Sequence, residues 1–352
     1  VVNCILNART RRPLPRASDT PIVSMKLPFL FIFSTTVLIS CSVNEQDEPQ
    51  ANPDELISIT ATEPADALDT FEIRPGFKLE LAAHEPLVVD PIDIEFDENG
   101  RLFAVEMRGY SEHREDALGR IKLLVDDDDD GIFDRATVYA ENLKWPTSVC
   151  CYDGGIFVAA SPDIFYFKDT DGDGVSDIKE TVFTGFGATA SRLNMQALVN
   201  SLTWGPDNRI WGATARNGGL VRRPDQSETE AVNLQGADFS FDPKTRDIRA
   251  ENGTAQFGMS FDSHGRRFVS SNSDHIQWVA WERESAKDNP YYNLPKPLVS
   301  IATAGGAAPV YRISPDEPWR IVRTRWRISG VVQGMVEGGG RVSGYFTSAT
   351  GI

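Results

Sequence analysis

Histidine and cysteine are scarce in this 352-residue chain, with four of each. His84, His113, His264 and His275 are therefore all that a histidine-based metal or acid–base centre could draw on. No Cys-x-x-Cys-His occurs, which excludes covalent c-type haem attachment to this chain. Basic side chains are outnumbered, 35 against 51 acidic ones, and a net charge of −16 offers no basic face for nucleic acid. Sustained helical periodicity is absent. The apolar-rich run Leu27–Ile39 has thirteen residues, too few to cross a bilayer as a helix.

What is present begins with that run. Residues 1–24 carry several arginines and no initiating Met, and read as an over-extended gene start. Met25 and Lys26 then open a signal peptide over 25–41. Its end, Leu38-Ile39-Ser40-Cys41, resembles the bacterial lipobox, which makes Cys41 the expected lipidation site and membrane anchor. Ser42 beside it points to the outer membrane, facing the periplasm or the cell surface. Residues 42–69, rich in Asp, Glu, Pro, Asn and Ala, cannot bury a core and read as an acidic flexible tether. Residues 70–352 remain, enough for one large domain. Within it only Cys150 and Cys151 are left, as a strained adjacent-cysteine disulfide or as two free thiols.

Two stretches carry chemistry in their spacing. Asp169, Asp171, Asp173 and Asp177 fall at loop positions one, three, five and nine, with Gly174 at position six. Alternate carboxylates in a tight loop converge their oxygens on one point, and the glycine allows the sharp turn, as a hard cation such as Ca²⁺ requires. Asp126, Asp128, Asp130 and Asp134 repeat the pattern around Gly131, which lies 43 residues before Gly174. Glu180 occupies position twelve of the second loop and Thr137 that of the first. Both loops follow strand-like runs, Ile121–Val125 and Ile164–Phe167, so they read as calcium loops between β-strands, not EF-hands. A merely solvated acidic turn is the alternative.

A longer repeat underlies both. An alternating strand, a polar turn and an apolar strand recur at Ile94–Val105, Cys151–Val158, Leu202–Gly212 and Met259–Val269. The turn residues Gly100, Gly154, Asn208 and Gly265 are 54, 54 and 57 residues apart. That period suits a four-stranded propeller blade, and predicts an all-β propeller; a β-sandwich fits the regular spacing less well. About five blades fit the chain at this period.

At these residues a resemblance becomes specific. Gly100–Gly109, the Asp169–Gly174 loop, Asn200–Gly205, Gln256–Gly258, Arg266–His275 and Glu317–Trp326 resemble the N-terminal propeller of the membrane-bound dehydrogenase family of planctomycetes and verrucomicrobia. That propeller is similar to soluble quinoprotein glucose and sorbosone dehydrogenases. The resemblance covers about residues 70–352. It implies a six- or seven-bladed propeller, and longer chains ending in a haem-binding cytochrome segment, so that Ile352 reads as an early stop. It further implies oxidation of a sugar or alcohol, Ca²⁺ and pyrroloquinoline quinone as cofactors, and a cytochrome as electron acceptor. In the sugar dehydrogenases a base histidine lies upstream of a Gly-Pro-Asp turn. Here that turn is Gly205-Pro206-Asp207, and the matching position holds Ala197.

Polar residues after or between strands are the candidates for the channel mouth. His275 and Arg192 are the candidate catalytic pair, and Arg108, Asn200 and Arg216 the candidate cofactor ligands. Arg108, Arg192, Asn194, Gln196, Asn200, Arg216 and Asn217 lie after or between strands and could line one mouth, for a sugar or quinone ligand or merely as a wet channel, and arginines among them favour a carboxylate-bearing quinone. Two functions stay open: an envelope oxidoreductase, or a non-catalytic, calcium-stabilised propeller that binds carbohydrate or protein at the cell surface.

Overall fold

A computed structural model describes residues 49–57, 60, 62–188, 193–286, 291, 293–310, 318–333 and 346–351. The signal segment with Cys41, and Arg192, lie outside the described residues. Among those residues no helix is long and apolar enough to cross a membrane.

The four turn residues picked out by the repeat all adopt left-handed backbone, with φ of 78° at Gly100, 71° at Gly154, 58° at Asn208 and 75° at Gly265. Glycine and asparagine tolerate that region, and each turn reverses the chain between two strands. Gly100 joins β1 (Pro91–Phe96) to β2 (Leu102–Glu106), followed by β3 (Gly119–Val125) and β4 (Arg135–Leu143) in an antiparallel meander. Gly154 joins β5 (Ser148–Tyr152) to β6 (Gly155–Ala160), followed by β7 (Asp163–Lys168) and β8 (Ile178–Phe186). Asn208 joins β9 (Asn200–Trp204) to β10 (Ile210–Ala213). The chain then makes a hairpin, β11 (Gly219–Arg222) and β12 (Val232–Asn233), before β13 (Asp238–Phe241) and β14 (Ile248–Glu251) complete the third sheet. Gly265 opens the fourth, β15 (Met259–Phe261), β16 (Arg267–Ser271), β17 (Asp274–Val279) and β18 (Leu298–Ser300). The fold is all-β, built of β-propeller blades. Four blades are seen among the described residues where the sequence period suggests five.

Alternation along each strand gives every blade two apolar faces, and the blades stack through them in chain order. Phe103, Val105 and Ile121 of the first blade meet Val149, Ile156 and Phe167 of the second. The second blade's other face, with Phe157 and Phe183, meets Phe239 and Phe241 of the third. Phe241 stands edge-on to both Phe157 and Phe183, with ring centroids 5.1 Å apart in each pair. Each such fully buried ring contributes roughly 1.5–3 kcal/mol. Trp211 and Ala213 then meet Met259, Val269 and Val279 of the fourth blade.

The β11–β12 hairpin leaves its own blade and pairs with β8 of the second. Two glycines permit it: a side chain on Gly185 would lie 2.1 Å from the Leu220 carbonyl oxygen, and one on Gly219 2.3 Å from that of Gly185. Polar clamps reinforce the stack. Arg267, 1 % exposed, is sandwiched between the third and fourth blades, with Nη1 2.9 Å from Asp238 Oδ2 and Nε 2.9 Å from Glu282 Oε1. Its guanidinium also lies 4.8 Å from the centre of the Trp211 ring.

Cys150 and Cys151 point to opposite faces of β5. Cys150 packs between the second and third blades and Cys151 against the cluster between the first and second. They are two free thiols. Burial pushes both thiol pKa values up, that of Cys151 to about 12, so neither is a reactive thiolate.

A second compact unit includes residues 49–57 and 318–333 among the described residues. Its described part holds a helix over Pro318–Ile328, which the strand-dominated sequence reading did not anticipate. Pro318 suits a first helical position, and Trp319, Val322 and Trp326 recur at helical spacing with Val322 buried. Arg325 Nη1 pairs with Glu55 Oε1 at 2.8 Å within this unit.

Candidate functional site

The first strand of each blade runs innermost, with β1 beside β5, β5 beside β9 and β9 beside β15. Between them lies a cavity of about 1030 Å³. Its wall is formed by Asp93 and Glu95 on β1, by Asn200 to Thr203 on β9 and by Met259 on β15. Asp90, Tyr110, Thr147, Gln196, Gln256, Asn272 and the segment 348–351 form the rest of the polar lining.

Much of that polar surface is spent on holding the strands together. Leu202 N–H donates to Ser148 Oγ at 2.9 Å, and Ser148 Oγ–H donates to Asp93 Oδ2 at 2.6 Å. Val149 N–H adds a second bond to that carboxylate oxygen at 3.0 Å. One carboxylate thus ties three innermost strands. Asn200, 1 % exposed, donates from Nδ2 to the Leu198 and Gln256 carbonyls at 2.7 and 2.5 Å, and accepts from Ser201 Oγ at 2.7 Å. It lines the cavity with its amide fully committed, which makes it a wall-builder.

What is left to meet a ligand is a different set. No described residue hydrogen-bonds to the side chains of Asp90, Glu95, Tyr110, Gln196, Thr203 or Thr350. The Glu95 pKa is pushed up to about 7, chiefly by burial and then by the charge of Asp93. Burial also raises Asp93, against the bonds from Ser148, Val149 and Ile94. The Tyr110 ring is half exposed and backed by Trp145, with centroids 5.8 Å apart. Glu95 was legible in the alternating strand Ile94-Glu95-Phe96, where the charged position of a channel-facing strand is the signal.

Of the residues nominated from sequence, the structure brings Asn200 and Gln196 to this cavity. Arg108 is half-buried, Arg216 exposed, and neither lines it. His275 stands off the lining too, its ring 5.1 Å from that of Phe346 and its Nδ1 buried with no hydrogen-bond partner. Ala197, at the expected base position, is buried. Turn residues do reach the lining, as Tyr110, Gln196 and Asn272 show, but the two arginines and His275 are not among them.

The two Asp loops occupy equivalent places, the turns β3–β4 and β7–β8 of consecutive blades. Carboxylate oxygens of Asp126, Asp128 and Asp130 lie within 4.8 Å of one another, as do those of Asp169, Asp171 and Asp177. Each group could hold a metal ion. Backbone N–H groups pin the cradles: Gly131 and Gly174 donate at 2.8 Å to Asp126 and Asp169, and Asp127 and Thr170 donate at 2.8 and 2.7 Å to Asp134 and Asp177. Asp173 accepts from Val175 N–H at 2.8 Å. The pKa of Asp128 is raised, above all by the nearby charge of Asp130, a repulsion that a bound cation would relieve. All-oxygen donors of this kind fit a hard divalent cation. The second loop also grips its neighbour, since Ser176 N–H donates to the Tyr139 carbonyl at 2.9 Å and Asp169 N–H to Tyr139 Oη at 3.0 Å. Glu180 is no part of it; its carboxylate pairs with Arg246 on both guanidinium nitrogens, the second at 2.6 Å.

Sequence comparison gives the domain a family. The chain belongs to the family described as a domain of unknown function, DUF7133. The match runs over residues 63–352. No curated protein matches the chain. Among solved structures, it is similar to the holo PQQ domain of pyranose dehydrogenase from Coprinopsis cinerea, with 11 % identity and a TM-score of 0.37 over 59 % of this chain and 53 % of that one. The β-propeller domain of Cps50 (Swd1) from Myceliophteria thermophila gives 13 % and 0.32 over 59 % and 57 %. A luciferin-regenerating enzyme gives 7 % and 0.36 over 55 % and 57 %. The matched part is little more than half of each of these proteins.

Proposed function

We propose that this protein is a calcium-stabilised propeller that binds carbohydrate in its central cavity at the cell envelope. The observation that carries the reading is the lining. It offers amides, hydroxyls and carboxylates beside a half-exposed tyrosine ring, and no Lys, Arg or His among the described lining residues. Hydroxyl-rich ligands are recognised by such convergent donors and acceptors, and a tyrosine face covers the apolar side of a sugar ring. The same lining does not fit pyrroloquinoline quinone, since a carboxylate-bearing cofactor would face Asp90, Asp93 and Glu95 with no cation opposite among the described lining residues. Binding is therefore favoured over quinone-dependent oxidation. Ca²⁺ in the loops at Asp126 and Asp169 would stabilise the two blades that frame one wall of the cavity. A lipid on Cys41 would tether the domain to the membrane, and the mass of the mature N-terminal peptide checks it.

Calorimetry of the full chain in Ca²⁺ against a panel of soluble oligosaccharides tests the proposal. At least one class should bind, and Tyr110→Ala should weaken it about tenfold. Absence of binding across the panel, with sugar-dependent dye reduction after addition of Ca²⁺ and pyrroloquinoline quinone, would return the oxidoreductase reading.

A further inference from the structure

The charge of the cavity wall says more than that it is polar. Asp90, Asp93 and Glu95 all lie on the first blade's side of the cavity, and nothing cationic among the described lining residues answers them. Asp93 is satisfied by Ser148 Oγ at 2.6 Å and by the Val149 and Ile94 N–H groups, each at 3.0 Å. Among the described residues, neither Asp90 nor Glu95 has such a donor. Glu95 is half-buried, and a carboxylate partly withdrawn from water and left without a donor is costly to ionise, so a positive group brought by a ligand gains more there than at the surface, while the exposed Asp90 adds a second negative charge.

A bare metal ion is a poor answer to this arrangement. Among the described residues, carboxylate oxygens converge to within ligand distance only in the two Asp loops, so those of Asp90, Asp93 and Glu95 are spread along the wall. Spread anionic groups, interleaved with free acceptors and donors on Gln196, Thr203 and Thr350, suit an extended ligand with amino groups and several hydroxyls.

From this geometry we infer that the cavity selects carbohydrate bearing a protonated amine, an amino sugar with its nitrogen uncapped, with Glu95 and Asp90 as the groups that meet the ammonium. The inference rests on the carbohydrate-binding reading and names its substrate class. Tyr110 would cover the ring face, and Gln196 and Thr203 would take hydroxyls. A neutral, N-acylated sugar would leave both carboxylates unanswered, and a uronic acid would face them with like charge.

The probes are a glucosamine tetrasaccharide, its fully N-acetylated counterpart and a tetragalacturonate, titrated calorimetrically into the full chain in Ca²⁺ near neutral pH. The amine form should bind about tenfold more tightly than the N-acetylated form, and the uronate should not bind. Glu95→Gln should cut that preference to about threefold or less, and Glu95→Gln with Asp90→Asn should abolish it. Equal or tighter binding of the N-acetylated form would overturn the amine inference while leaving carbohydrate binding intact. Failure of all three probes, with binding of some other neutral sugar, would do the same. Failure of every sugar would overturn both readings. A preference undiminished in the double variant would overturn the assignment to Glu95 and Asp90.

Discussion

Glu95→Gln is the substitution whose effect can be worked from the fold without knowing a ligand. The wild-type carboxyl has a folded-state pKa of about 7 against an ordinary 4.5, because burial and the neighbouring charge of Asp93 both disfavour its anion. For a carboxyl raised on folding, the folded state holds the proton more tightly. Its stabilising contribution is complete below pH 4.5, is lost as pH rises through 7, and the full penalty stands above that. A rise of about 2.5 pH units would amount to roughly 3.4 kcal/mol for a fully buried group, and partial solvent access lowers this to about 1–2 kcal/mol. Glutamine keeps the shape and removes the charge. The variant should match the parent at pH 4.5 and exceed it by about 1–2 kcal/mol at pH 8.5. Urea unfolding of both proteins, followed by tryptophan fluorescence at the two pH values, reads the difference as a shift in midpoint. Taking the difference between variant and parent removes contributions of titrating groups that do not couple to Glu95. A variant less stable than its parent at pH 8.5, or a difference that does not change with pH, would refute the reasoning. A gain would mean that the native chain keeps a destabilising carboxylate in its cavity, as binding sites commonly do at the expense of stability.

Two further outcomes follow from the blade interfaces. Chelation should lower the melting temperature and Ca²⁺ restore it. Saturation at about a hundred times the dissociation constant is worth about 2.7 kcal/mol, or roughly 5–10 °C for a domain of this size. An Asp171→Ala variant with unchanged melting and calcium content would count against the second loop. Arg267→Ala should cost about 3–5 kcal/mol, since it leaves the buried Asp238 carboxylate facing no cation, whereas Arg249→Ala, on a half-exposed side chain, should cost under about 1 kcal/mol; equal midpoints for the two variants would remove the clamp from the account.

The blade repeat was legible because it rests on local chemistry. A left-handed turn needs Gly or Asn, and an alternating strand needs period-two apolarity, so Gly100, Gly154, Asn208 and Gly265 announced four hairpins by themselves. The Asp loops were legible for the same reason, since both ends of each cradle lie within nine residues of sequence. The β11–β12 hairpin was not, because its partner β8 is chosen by tertiary packing through Gly185 and Gly219. Nor was the role of Asn200 legible: whether an amide meets a ligand or ties strands depends on carbonyls 56 residues away, at Gln256.

The cavity lining differs from most of the nominated residues for a more instructive reason. Sequence reasoning favoured arginines and a histidine after the strands, where propeller loops cluster, and so expected a cationic mouth. The lining instead joins β1, β9 and β15 with turn residues such as Tyr110, Gln196 and Asn272, and β1 brings carboxylates on alternate residues, Asp93 and Glu95. Only one of the pair is free, because Ser148 and Val149 on the adjoining β5 consume Asp93. The same strand that seals the first blade to the second thus leaves a single poised carboxyl beside the spent one, and the spent one raises its pKa. Structural and ligand-facing charges are coupled on β1, so replacing Asp93 by Asn should both loosen the β1–β5 seam and lower the pKa of Glu95, by removing the like charge that helps hold it near 7. Carbonyl infrared titration of the Glu95 carboxyl in Asp93→Asn should show that fall, and a pKa left where it stands in the parent would break the coupling between seam and site.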